Sequence, residues 1–130
     1  MYISTTSNVT VSVEPVYLDH ESQPEHNIYV WAYKVRIQND GEETLQLRTR
    51  YWKITDALGR IQEVRGPGVV AEQPVLKPGQ SFEYTSGTPL STPSGIMSGT
   101  YSMEKQDGST LDIAIPAFSL DSPGDNKQVN

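Results

Sequence analysis

Apolar residues along this chain recur every second position, and almost nowhere every third or fourth. In Asn8–Val13, Val9, Val11 and Val13 fall in one phase, as a half-buried strand requires. Pro15 follows and cannot donate to a ladder, so this strand is expected at an edge, or broken there. The stretch from Asn27 to Asn39 alternates more richly. Tyr29, Trp31, Tyr33, Val35 and Ile37 share one phase, and Ile28, Val30, Ala32, Lys34 and Arg36 the other. Its beginning is therefore expected to be covered on both faces and its end on one. Asn39-Asp40-Gly41-Glu42 then reads as the turn of a hairpin.

From Thr44 to Thr55 the phase changes midway: Leu45 and Leu47 are in one register, Trp52 and Ile54 in the other. A one-residue slip inside a strand predicts a β-bulge. Asp56–Gly59 is a turn signal leading to a short strand over Ile61–Val64. Lys77-Pro78-Gly79-Gln80 predicts a type II turn, with glycine taking positive φ. Phe82 and Tyr84 alternate in the next strand. A passage rich in serine, threonine, proline and glycine, Thr85–Gly95, is expected to bond its hydroxyls to turn backbone. Strands near Ile96–Glu104 and Thr110–Leu120 complete the pattern, and Tyr101 stands where immunoglobulin-like sandwiches place a corner tyrosine. The prediction is all-β: an immunoglobulin or fibronectin-III-like sandwich of about seven strands in two antiparallel sheets. Residues 1–120 form its single domain, and residues 121–130, polar and punctuated by Pro and Gly, form a tail expected to be disordered.

Composition narrows the function. A chain of 130 residues buries roughly two-thirds of its unfolded surface, enough for one core without staples. With no cysteine, disulfides and thiolate chemistry are excluded, and a reducing, cytoplasmic setting is expected. The first fifteen residues show no basic region followed by an apolar run, so neither a signal peptide nor a membrane span is expected. The net charge of −6 argues against non-specific nucleic-acid binding. Yet Arg48, Arg50, Lys53, Arg60 and Arg65 face only Asp56 and Glu63 in the window they span. That window is +3, leaving −9 for the remainder. It is either an anion-facing side or a solvated strand face.

Three local patterns suggest chemistry. Gly66-Pro67-Gly68-Val69-Val70-Ala71 matches the dinucleotide-binding pattern G-x-G-x-x-G/A. That motif needs a helix to follow its turn, whereas here a proline interrupts it, two valines follow and Pro74 closes it. A Rossmann site is excluded. What remains is an anion-binding nest of outward N–H groups beside Arg65, with Arg65, Gly66, Gly68 and Ala71 as candidate ligand-binding residues, or a plain structural bend. Asp19, His20, Glu21, Glu25 and His26 share one loop and offer donors suited to a divalent ion, although their spacing matches no structural metal site, and no metal site is assigned. Ser102-Met103-Glu104-Lys105 matches S-x-x-K. That motif requires a helix, and on a strand its two ends face oppositely. No catalytic residues and no cofactor are assigned.

The segments Tyr51–Arg60, Arg65–Met103 and Ile115–Leu120 resemble the ApaG family of bacterial proteins, with the order and spacing of several motifs agreeing together over about Val9 to Leu120. The family's pattern has glycine where this chain has Ala71. The resemblance implies a fibronectin-III or immunoglobulin-like sandwich, a link to cobalt tolerance and magnesium efflux, and reuse as a protein-binding module beside unrelated domains. The expectation is a non-catalytic binding module for a protein partner, with homodimerisation through an edge strand as a further possibility. The alternative is a binder of pyrophosphate or a nucleotide polyphosphate at the Gly66–Gly68 loop. An enzyme acting on such a phosphate would have Glu63, Glu72 or the His20 loop as its only local helpers.

Overall fold

A computed structural model describes residues 1–123. Nine strands make up most of it: β1 (Tyr2–Thr6), β2 (Val9–Tyr17), β3 (Tyr29–Asn39), β4 (Leu45–Asp56), β5 (Ile61–Pro67), β6 (Val75–Leu76), β7 (Ser81–Leu90), β8 (Ser94–Lys105) and β9 (Thr110–Asp121). They form two antiparallel sheets, ordered β1-β2-β3-β7 and β5-β4-β8-β9, with β6 a short addition beside β4. The seven expected strands are all present. β1 and β6 are the two that periodicity did not disclose, one with a lone aliphatic residue, Ile3, that faces outward, and one only two residues long.

The inward phases of both sheets meet in one core. Val9, Val11, Val13, Trp31, Val35 and Ile37 of the first sheet pack against Leu47, Trp52, Met97, Tyr101, Met103, Ile113 and Phe118 of the second. At its centre Tyr33, Trp52 and Phe118 stack edge-on or tilted, with Trp52 and Phe118 perpendicular at 5.9 Å, the geometry that aromatic quadrupoles favour. The slip between Leu47 and Trp52 is a bulge, seen as a register shift against β8 between Leu47 and Thr49. A second lies between β8 and β9, where Ile115 and Phe118 oppose Gly99 and Met97. It carries the inward phase past Pro116.

Several expectations change. Asn39–Glu42 is not a hairpin, because β3 and β4 belong to different sheets. The connection is an arch between layers. The buried Asn39 amide holds it by donating to the carbonyls of Glu43 and Leu76 at 2.7 and 2.9 Å. Pro15 lies inside β2, yet β1 pairs with that strand only as far as Val13. From Glu14 onward β2 pairs, among the described residues, with β3 alone, and Pro15 opposes Tyr33 between the hydrogen-bonded pairs of that ladder, so no ladder bond is missing. The start of β3 is only half covered, with Ile28 exposed. Thr85–Leu90 is strand rather than loop, although the Thr92 hydroxyl does bond turn backbone as expected, donating to the Ser94 carbonyl of its own turn and accepting from Ala57 N–H of the turn after β4. Gly79 takes φ +85°, as the predicted turn requires.

Tyr101 is not a corner tyrosine. It is fully buried in mid-strand and its hydroxyl meets that of Tyr84 on the opposite sheet. At the other end of the chain, β9 runs on to Asp121. Ser122 is buried, with its hydroxyl donating to the Pro93 carbonyl, so the sandwich extends just past Leu120. The remainder of the expected tail, residues 124–130, lies outside the described residues.

The two sides of the sandwich are unequal. On one, β1 and β9 close upon each other: Ser4 Oγ donates to the Ala114 carbonyl and Ala114 N–H to Thr6 Oγ1. On the other, β5 and β7 each pair with a single neighbour among the described residues.

Candidate functional site

The outer face of the second sheet carries the polar phase of its strands. Register places Arg65, Tyr51 and Thr100 in one row and Pro67, Thr49 and Ser102 in the next, with Asp112 of β9 opposite Ser102. Thr49, Tyr51, Arg65, Gly66, Pro67, Thr100, Ser102 and Asp112 line a shallow dish of about 620 Å³. Its floor is low because β8 contributes only small hydroxyl residues there. Its wall is Tyr51 with the Arg65 guanidinium lying over the ring, 4.4 Å from the centroid. The Tyr51 hydroxyl donates to Glu63 at 2.6 Å. That bond pushes the phenol's pKa up, desolvation and the nearby carboxylate charge add to it, and Arg65 opposes.

Of the predicted ligand-binding residues, Arg65 and Gly66 line the dish, while Gly68 and Ala71 lie beyond it. The loop's construction explains its glycines. Gly66 leaves room for Arg50, whose guanidinium crosses the strand within 3.1–3.3 Å of where a Cβ would stand. Arg50 Nη1 then donates to the carbonyls of Pro67 and Gly68, each at 2.9 Å. Gly68 has φ +58°, and a Cβ there would meet the Glu72 carbonyl oxygen at 2.0 Å, so only glycine fits. Val69 is buried in the core and exchanges two 2.8 Å bonds with Glu72. Between them Val70 and Ala71 both take positive φ, 42° and 66°, which makes a two-residue type I′ hairpin. No helix follows. The amides of Gly68, Val69 and Glu72 are spent on Arg48, Glu72 and Val69 in turn.

The basic window is spread over several local tasks. Arg48 pairs with Glu104 at 2.6 Å and bonds Gln73, and Arg60 pairs with Asp56 at 2.7 Å. Arg50 latches the loop. Arg65, whose side chain is 72% exposed, has among the described residues one ion-pair partner, Glu63, at 3.9 Å. It is the least committed guanidinium of the set.

The residues of the candidate metal loop are not gathered. His20 and His26 are exposed and sit in separate 3-10 turns, Asp19–Glu21 and Pro24–His26. Among the described residues no group of three or more His, Cys, Asp or Glu is placed to hold a metal ion. Sequence reasoning counted Arg50 only as one charge of the basic window, and it missed the hydroxyl row of β8. Thr49 and Tyr51 were legible only as the polar phase opposite Trp52 and Ile54.

Exposed apolar side chains gather at one end of this same face. Thr55 of β4 pairs with Ile61 on one side and Ile96 on the other. The two isoleucines are 59% and 55% exposed, and Leu58 in the adjoining turn is 72% exposed.

An all-β sandwich of two antiparallel sheets, with a polar dish on the outer face of one of them, places this chain among the immunoglobulin-like sandwich domains. Comparison with known proteins goes further. The family model described as "ApaG domain" matches residues 19–105. Protein ApaG of Paramagnetospirillum magneticum is 64% identical over 130 residues, and that of Rhodospirillum centenum 60%, each covering all of both chains. The crystal structure of an ApaA protein from Bordetella pertussis superposes with a TM-score of 0.86 at 49% identity, covering 90% of this chain and 95% of that one. The chain belongs to the ApaG family. Among the described residues, no helix is long and apolar enough to cross a membrane.

Proposed function

We propose that this chain is a non-catalytic recognition module of the cytoplasm that binds a protein partner on the outer face of the β5-β4-β8-β9 sheet. The observation that carries the reading is the grouping of Leu58, Ile61 and Ile96 on the same face as the Arg65–Tyr51 dish, a face that no other element covers among the described residues. Clustered exposed apolar residues rimmed by polar ones are characteristic of interaction surfaces, whereas scattered ones carry no such meaning. An aromatic residue and an arginine are also the side chains most enriched at binding hot spots. The cobalt and magnesium phenotypes that family resemblance implies would on this reading be exerted through the partner. The test is crosslinking and co-purification from native lysate with the wild-type chain, an Ile96→Asp variant and a Tyr51→Ala variant. A protein captured reproducibly by the wild type and lost with both variants supports the reading. Capture that ignores both substitutions, or no capture at all, refutes it.

A second reading is favoured by one specific feature, the exposed Arg65 guanidinium beside the hydroxyls of Thr49, Thr100 and Ser102. These are donors that could surround a small anion such as pyrophosphate. Amide NMR during a pyrophosphate titration tests it. Saturable shifts at Arg65, Gly66 and Thr100 that vanish in Arg65→Ala support an anion site, and a spectrum unmoved at millimolar ligand removes it.

A further inference from the structure

Strand β5 has a bare edge whose pattern of bonding groups and charges is complementary to itself. At the two ends of its pairing with β4, Gly68 N–H donates to the Arg48 carbonyl and Asp56 N–H to the Arg60 carbonyl. Both bonds follow the register that pairs Trp52 with Val64. In an antiparallel ladder the inward-bonding residues alternate. Residues 60, 62, 64, 66 and 68 therefore spend their backbone groups on β4, and Ile61, Glu63 and Arg65 turn theirs to the open edge. Pro67, next in that series, has no N–H, and Arg50 already caps its carbonyl. The usable edge is thus short and ends at Arg65. Among the described residues no other strand pairs with it, and the Glu63 and Arg65 side chains are 53% and 72% exposed.

We propose that β5 is the homodimerisation strand, pairing antiparallel with β5 of a second copy about a two-fold axis at Val64. That register sets Glu63 opposite the partner's Arg65, and Arg65 opposite the partner's Glu63. Both pairs join residues whose backbone groups face outward, so each exchanges two ladder bonds. Val64 meets the partner's Val64 in a non-hydrogen-bonded pair. Neighbouring two-fold registers are worse: an axis at Glu63 opposes two carboxylates, and an axis at Arg65 opposes two guanidiniums, arrangements that directly facing strands penalise. The other bare edge does not offer this. Glu83 is the sole charged residue of β7, so no two-fold register of that strand pairs opposite charges, and Pro89 interrupts its donors. The pairing joins the two second sheets into one continuous eight-stranded sheet and sets their dishes side by side. The partner's Glu63 then becomes a ligand of Arg65, competing with any anion there.

A contact between such short strands is small beside the interfaces of permanent dimers. Dissociation is expected on the order of micromolar or weaker, so the test spans micromolar to near-millimolar protein. Sedimentation of the full chain should show a reversible monomer–dimer equilibrium. Glu63→Arg places like charges opposite each other twice and should weaken the dimer at least about tenfold. The double variant Glu63→Arg with Arg65→Glu restores both pairs and should recover it. The absence of native cysteine makes a second measurement clean. Non-hydrogen-bonded pairs have Cα atoms about 4.5 Å apart, within the disulfide range of about 4.4–6.8 Å. Val64→Cys should therefore oxidise to a covalent dimer, and Gln62→Cys, which faces the partner's Gly66, should not. A chain monomeric throughout the range overturns the proposal. So does a dimer indifferent to charge reversal, or equal crosslinking at both positions.

Discussion

Replacing Val70-Ala71 with Asn-Gly should stabilise this protein. Both residues are held at positive φ, 42° and 66°, where an L side chain crowds the following carbonyl at a cost of about 1–2 kcal/mol per residue. A type I′ hairpin accepts asparagine and glycine best. The gain is reduced because glycine in the unfolded chain has more freedom to lose, worth about 0.5–1 kcal/mol. Asparagine also keeps part of the steric penalty. Both side chains are exposed at the tip, so little packing is lost, and Val69 and Glu72 still exchange their two bonds. The net should be about 1 kcal/mol, which for a domain of this length raises Tm by about 4 °C. Urea denaturation of the wild type, Ala71→Gly and the double variant measures it. The midpoint should rise at each step with m unchanged. A midpoint that stays or falls would refute the claim that this turn stores backbone strain.

Gly99→Ala should be among the most damaging single changes. Its Cβ would stand 2.1 Å from the Tyr51 carbonyl oxygen and 3.2 Å from Ile115 Cδ1, so backbone must move, and a loss of about 3 kcal/mol or more by denaturation is expected. Arg50→Ala should free the Pro67 and Gly68 carbonyls. A half-exposed latch of this kind contributes about 1 kcal/mol after solvent screening, and hydrogen exchange of amides 66–72 should accelerate well beyond that of β8. Burial raises the pKa of the Tyr84 and Tyr101 phenols above their ordinary value of 10.0. The folded state therefore keeps protons that the unfolded chain releases. Stability from these groups is fully present below about pH 10 and is lost as pH climbs through the folded values. Spectrophotometric titration should show tyrosines that ionise only as the fold is lost, and a smooth titration of every tyrosine near pH 10 would contradict this.

Alternation alone carried most of the architecture. The phase slip from Leu47 to Trp52 disclosed a bulge because an inward-facing side chain must return to the core after the slip. Lys77–Gln80 disclosed its turn because proline and glycine each admit few backbone states. These are local constraints, written in a few adjacent residues. Layer assignment is not local. Asn39–Glu42 has the composition of a hairpin, and its crossing between sheets depends on a buried Asn39 amide finding carbonyls at Glu43 and Leu76. Tyr101 reads as a corner residue until Tyr84, from the other sheet, meets its hydroxyl.

The candidate site divides in the same way. Arg65 and Gly66 stood out in the chain because a basic residue beside a glycine turn is a recognisable pattern. Thr49, Tyr51, Thr100 and Asp112 did not, and Ser102 stood out only in an S-x-x-K match that a strand cannot use, since each is an ordinary polar residue until strand register brings it beside the others. Arg50 looked like one more charge in a basic run, whereas its guanidinium fills the space that Gly66 leaves open. Periodicity of two decides which residues face the core and which face water. Which polar residues become neighbours is decided by pairing between strands remote in sequence, and that pairing is chosen by how the whole core closes.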